Sequence, residues 1–137
     1  MNRASALYAL SQSSDVKKDI FAKIGDLSAA PLAGARVLLG IYIAPEKTKG
    51  GLYIPDQIKK EDIYQGTVGL VLKKGPLAFK DDATNQFGGF EPNIGDWVVF
   101  NAGDSKRVQI NLVDCRYIDD ALIHQIIPDP GMITHRT

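Results

Sequence analysis

Gly95-Asp96-Trp97-Val98-Val99-Phe100-Asn101 is the stretch on which the fold turns. A Gly-Asp pair supplies turn chemistry, and an aromatic and β-branched run follows it up to Asn101. Bounded in this way, the run reads as a short strand. Downstream, Ala102-Gly103-Asp104-Ser105 turns the chain again. Val108, Ile110 and Leu112 then alternate with Arg107, Gln109 and Asn111, which predicts a half-buried strand. Val113 to Ile118 and Ala121 to Ile127 are two further apolar runs, separated by Asp119-Asp120 and closed by Pro128 and Pro130.

The same texture extends upstream. Gly66-Thr67-Val68-Gly69-Leu70-Val71-Leu72 alternates around Val68, Leu70 and Leu72 and stops at Lys73-Lys74-Gly75-Pro76. Val37-Leu38-Leu39 and Ile41-Tyr42-Ile43 form another β-rich run, with Gly40 inside it either as a bulge or as a close backbone approach. Residues 77–93 are irregular and place Phe79, Phe87 and Phe90 among Asp, Asn, Gly and Pro; a small satellite apolar cluster is expected there. Six or seven short strands separated by turn signals predict an all-β barrel or sandwich. Trp97 and Val99 read as core.

The first thirty residues differ. They are rich in Ala and Ser, and Ser13-Ser14-Asp15 has the chemistry of a helix cap. Val16, Ile20, Ile24 and Leu27 then fall on one helical face, with Gly25 as the stop. Two roles stay open: a helix packed on its own domain, or a docking arm for a partner.

Catalytic and metal chemistry is hard to find. The two histidines, His124 and His135, form no ligand set with the single Cys115, which reads as a buried, inert thiol. No phosphate-cradling or dinucleotide fingerprint occurs. Gly103-Asp104-Ser105 superficially resembles a lipase or esterase nucleophile block, but Lys106 follows where leucine is expected. We therefore expect no enzyme activity, cofactor or metal. Sixteen basic residues balance sixteen acidic ones, which gives no reason to expect a nucleic-acid or anionic-membrane partner. No apolar run approaches a membrane span, and no signal peptide is read at Met1–Leu7. A cytoplasmic location is expected.

One segment asks for a partner. Glu46-Lys47-Thr48-Lys49-Gly50-Gly51-Leu52-Tyr53-Ile54-Pro55-Asp56 sets an apolar triplet behind two glycines and before a proline, with polar, mostly charged residues around it. It lies in a long break between strand-like runs, from about Pro45 to Gln65. Connections beyond about 12–15 residues within a compact domain are usually functional or disordered. A partner's groove accounts for the triplet; the competing reading is a short extra strand on the barrel.

Taken in order, these blocks resemble the GroES co-chaperonin family over residues 32–127. Gly95–Asn101 is similar to its G-D-x-V-[IV]-[FY] block, and Arg36-Val37-Leu38-Leu39 to its opening strand. Glu46–Pro55 resembles its mobile loop, Gly66–Val71 the strand that follows, and Asp119–Ile123 the acidic turn into the closing strand. The resemblance implies a small GroES-like β-barrel, a homo-oligomer that is usually heptameric, capping a chaperonin ring around a client protein. It also implies that Leu52, Tyr53 and Ile54 enter a groove on the chaperonin, with Gly50 and Gly51 letting the backbone turn. First and last strands of neighbouring subunits would close the ring.

The expected organisation is an N-terminal extension over 1–30, a barrel over 31–127 and a tail over 128–137. Within the barrel the mobile loop takes about 45–65 and a roof hairpin about 75–95. The added termini resemble those of extended members encoded by phages. A second function fits the same barrel: a structural virion component, a decoration or connector protein contacting capsid proteins. The related domain of medium-chain dehydrogenases fits poorly, because no nucleotide-binding half follows.

Overall fold

The computed structural model describes residues 15–41 and 68–133. They form a helix, α1, over residues 15–24, and six strands: β1 (Arg36–Ile41), β2 (Val68–Lys74), β3 (Trp97–Phe100), β4 (Ser105–Ile110), β5 (Val113–Asp119) and β6 (Ile123–Ile127). All six join one sheet in the order β4-β5-β1-β2-β3-β6, and every pairing is antiparallel.

That order forces the sheet to curl. β5 is second in the sheet and β6 is last, yet only Asp120–Leu122 separate them, and these form a 3-10 turn. In a flat sheet the two strands would lie about 19 Å apart, at about 4.8 Å per neighbour. A 3-10 turn rises only about 2 Å per residue and cannot span that gap. The sheet therefore rolls up until the ends approach, giving the small barrel of a GroES-like fold.

Both faces of the sheet are apolar. One carries Val37, Leu39, Ile41, Val71, Val98, Phe100, Ile118 and Ile123. Residues 75–95 close over it, bringing Phe79, which is 6% exposed. The Phe79 ring meets Phe87 edge-on at 5.6 Å and Phe90 at 6.2 Å. The three aromatics thus extend the main core instead of forming a separate satellite. The excursion itself holds turns and no paired strands, so it covers the barrel as a strap and not as a hairpin. Asp82 accepts from the Asn85 amide and then from the Thr84 amide, which lowers its carboxyl below the ordinary value. Asp81 accepts from the Phe87 amide at 2.8 Å.

The opposite face carries Leu38, Val68, Leu70, Leu72, Trp97, Val113, Cys115 and Ile127. Here α1 supplies the cover. Ile20 and Ile24 are buried in this cluster, and Val16 and Leu27 pack against it, so the helix joins its own domain. Gly25 ends the helix at φ +71°, its amide donating to the Phe21 carbonyl at 3.1 Å. Gly40 marks a close approach: a Cβ there would lie 3.0 Å from Ile20 Cγ2 and 3.1 Å from Leu72 Cδ1. The pairing of β1 with β2 shifts between Leu38 and Leu39, where the extra residue is Leu72 of β2, so Gly40 is not a bulge. From the other terminus, Pro130 is buried and Ile133 packs onto the same face.

One expected strand position moves. Ile110 pairs with Val113, so Asn111 and Leu112 are a two-residue hairpin turn at φ +50° and +67°. Leu112 is therefore not the inward end of β4 but a tip residue, 85% exposed.

Candidate partner-binding site

Gly50, Gly51, Leu52, Tyr53 and Ile54 lie outside the described residues, as does the whole expected loop over about 45–65. The frame that brackets them is well defined. β1 and β2 are antiparallel neighbours at the centre of the sheet, and their last described pair before residues 42–67 is Ile41 with Gly69. Ile41, Val68 and Leu70 are all buried. Both ends of the segment are therefore anchored side by side in packed strands.

Two structures flank this root. The α1 face presents Ile20, and the β4–β5 tip presents Leu112 and Val113; with Ile41 they line an open groove of about 220 Å³. The Asn111 side-chain amide donates to the Ile24 carbonyl at 2.7 Å, tying the hairpin tip to the end of the helix. The Lys73 ammonium reaches the Leu27 carbonyl. A larger groove of about 620 Å³ runs beside β4, between Pro31–Ala33 and Ser105–Lys106.

The residue types that carry chemistry elsewhere serve structure here. The Ser105 hydroxyl donates to the Ala102 carbonyl at 2.8 Å and accepts from Arg116 at 3.0 Å. It thereby pins the 3-10 turn Ala102–Asp104, so the esterase-like triplet is a turn. Arg116 is 5% exposed, and burial, then the neighbouring Arg107, pulls its guanidinium below the ordinary value. Cys115 is fully buried, its thiol donating to the Val113 carbonyl at 3.4 Å, and burial pushes it up to about 11. His124 is exposed on β6; His135 lies outside the described residues. Among the described residues no three His, Cys, Asp or Glu side chains are placed to hold a metal ion. No described helix is long and apolar enough to cross a membrane.

A rolled antiparallel barrel whose central hairpin brackets a long segment defines a GroES-like barrel. The family model of the chaperonin 10 kDa subunit matches residues 29–127. The co-chaperonin GroES of Syntrophomonas wolfei subsp. wolfei (strain DSM 2245B / Goettingen) is 32% identical over 81 residues, which is 59% of this chain and 78% of that protein. The chain belongs to the chaperonin 10 kDa subunit family, and a co-chaperone function follows from that membership. The match omits α1 and everything after Ile127.

Sequence reasoning proposed the triplet from its composition, and those residues lie outside the described ones. It missed the flanking groove, because Ile20, Ile41 and Leu112 come from three distant stretches that only the folded sheet brings together.

Proposed function

We propose that this chain caps a chaperonin ring, inserting Leu52, Tyr53 and Ile54 into grooves of the partner and enclosing a client protein. The observation that carries the reading is the match over the whole barrel, combined with the β1–β2 hairpin that holds both ends of the triplet's segment. Gly50 and Gly51 allow the backbone to turn without a Cβ penalty.

Magnitudes favour an oligomer. Burying three large apolar side chains yields about 4–9 kcal/mol. Ordering each residue of the segment costs about 1–2 kcal/mol, so five or six ordered residues offset most of that gain. One copy binds weakly. Copies joined in a ring make later contacts intramolecular, and avidity rises without new chemistry. Among the described residues the edges of the sheet are β4 and β6, while β1 is flanked on both sides. The edges open to a homo-oligomer, a heptamer by analogy with the family, thus include the last strand but not the first one expected. The lid binds and releases; nucleotide hydrolysis belongs to the partner, and the working location is the cytoplasm. The domain division at 30 and 127 remains part of this proposal, as does the reading of residues 128–137 as a tail. No described feature favours the virion reading.

The test is a pull-down with an ATP-loaded chaperonin ring. Leu52→Ala with Ile54→Ala should abolish capture and leave the barrel's melting temperature unchanged. Capture that survives the double substitution refutes the reading.

A further inference from the structure

The family match begins at residue 29, so α1 is an addition to the barrel. It is not placed at random on the surface. Ile20 sits over Gly40, so closely that even a methyl group on Gly40 would approach Ile20 Cγ2 to 3.0 Å. Ile20 and Ile24 share one buried cluster with Val68 and Leu70. These positions adjoin the Ile41–Gly69 pair from which residues 42–67 depart. The C-terminal end of the helix is fixed from two sides, by Asn111 to the Ile24 carbonyl and by Lys73 to the Leu27 carbonyl. Lys73 belongs to β2 itself, so the second tie joins the helix exit to a strand of the root.

We propose that Ile20, Ile24 and Asn111 are positioning residues for partner capture: α1 buttresses the β1–β2 root and sets how firmly the partner-binding segment is presented. This rests on the capping function proposed above. The physical basis is that a β-hairpin end stripped of packing on one face opens locally long before the sheet unfolds. A root that opens adds residues to be ordered on capture, and the effect repeats in each subunit of a ring.

The experiment uses the full chain. Ile20→Ser with Ile24→Ser removes the helix's apolar contacts. Asn111→Ala is the milder variant should the first fold poorly, and Lys18→Ser on the exposed side of the helix is the control. Hydrogen exchange is followed at the amides of Leu38–Ile41 and Val68–Leu72, and capture is followed with an ATP-loaded chaperonin. The inference expects root amides to exchange about tenfold faster in the helix-face variant, with β3 and β6 amides unmoved. Capture should weaken by about fivefold or more. Asn111→Ala should shift both readouts in the same direction by less, and Lys18→Ser neither.

Root exchange that stays unchanged, or that rises equally throughout the sheet, overturns the inference. So does faster root exchange with undiminished capture. If the helix-face variant captures normally while Leu52→Ala with Ile54→Ala abolishes capture, only the buttress falls. If the latter variant captures normally, the capping function falls, and the two failures are told apart.

Discussion

The two faces of this sheet are covered in opposite ways. Over one lies the strap of residues 75–95, within the family match; over the other lie α1 and Ile133, outside it. The strap has no repeating backbone pattern, so its buried polar groups need individual partners. Asp120 provides one, accepting from the Phe79 amide at 2.8 Å although 41 residues separate the two in sequence. Phe79 sits at φ +61°, a left-handed conformation that an L-residue holds only when its surroundings compel it. The helix satisfies its interior backbone and docks through an apolar stripe, which Val16, Ile20 and Ile24 supply. The irregular cover thus has a polar anchor at its buried centre, whereas the periodic one is seated by its apolar stripe and takes polar ties only at its C-terminal end and exit.

This contrast can be broken experimentally. Phe79→Ala should cost about 3–5 kcal/mol in urea unfolding, because it empties the centre of the aromatic group. Ile24→Ala should cost about 2–5 kcal/mol on the other face. If the covers act independently, the double variant should equal the sum of the singles to within about 0.5 kcal/mol; a larger coupling merges them into one unit.

Asp120→Ala should cost about 1–3 kcal/mol, since the buried Phe79 amide loses its acceptor. Its near-ultraviolet signal should report loosened aromatic packing, while α1 stays docked.

Cys115 sharpens the comparison through pH, since it lies in the helix-covered cluster. Its folded value of about 11 exceeds the ordinary 9.0. The folded state therefore prefers the neutral thiol. That contribution to stability is complete below pH 9 and is lost as pH rises through about 11. Cys115→Ala should flatten the alkaline decline in denaturant midpoint. A thiol reagent near neutral pH should label the wild-type chain only after unfolding.

The smallest effect lies at the hairpin tip. Leu112→Gly should stabilise by about 0.5–1 kcal/mol, because it relieves the left-handed strain and sacrifices almost no burial. A loss instead of a gain would mean that Leu112 packs on the helix in solution.

Elements built on local periodicity were legible from sequence. The helix face at Val16, Ile20 and Ile24, its stop at Gly25, and the strands around Val68, Leu70 and Trp97 all follow from spacing and turn residues. The β4–β5 turn was not, because Asn111-Leu112 lacks the glycine that normally announces a two-residue hairpin, and Leu112 continued an alternating pattern past its true end. Gly40 allowed a bulge or a close contact, and only the position of Ile20 decides between them. The Asp120 anchor had no local signature, because its partner is set by how the sheet rolls. The triplet at Leu52–Ile54 was singled out by composition alone, and it lies outside the described residues.

The place of β1 between β2 and β5 carries a consequence for synthesis. Arg36–Ile41 leaves the ribosome before one of its two neighbours, Val113–Asp119, which follows only after the whole stretch of chain between Ile41 and Val113. Throughout that interval one side of a very greasy hexapeptide has no native strand to zip against, and sticky nascent edges of this kind invite misassembly. A subunit from a family of folding assistants thus passes through the same hazard as the proteins such assistants rescue.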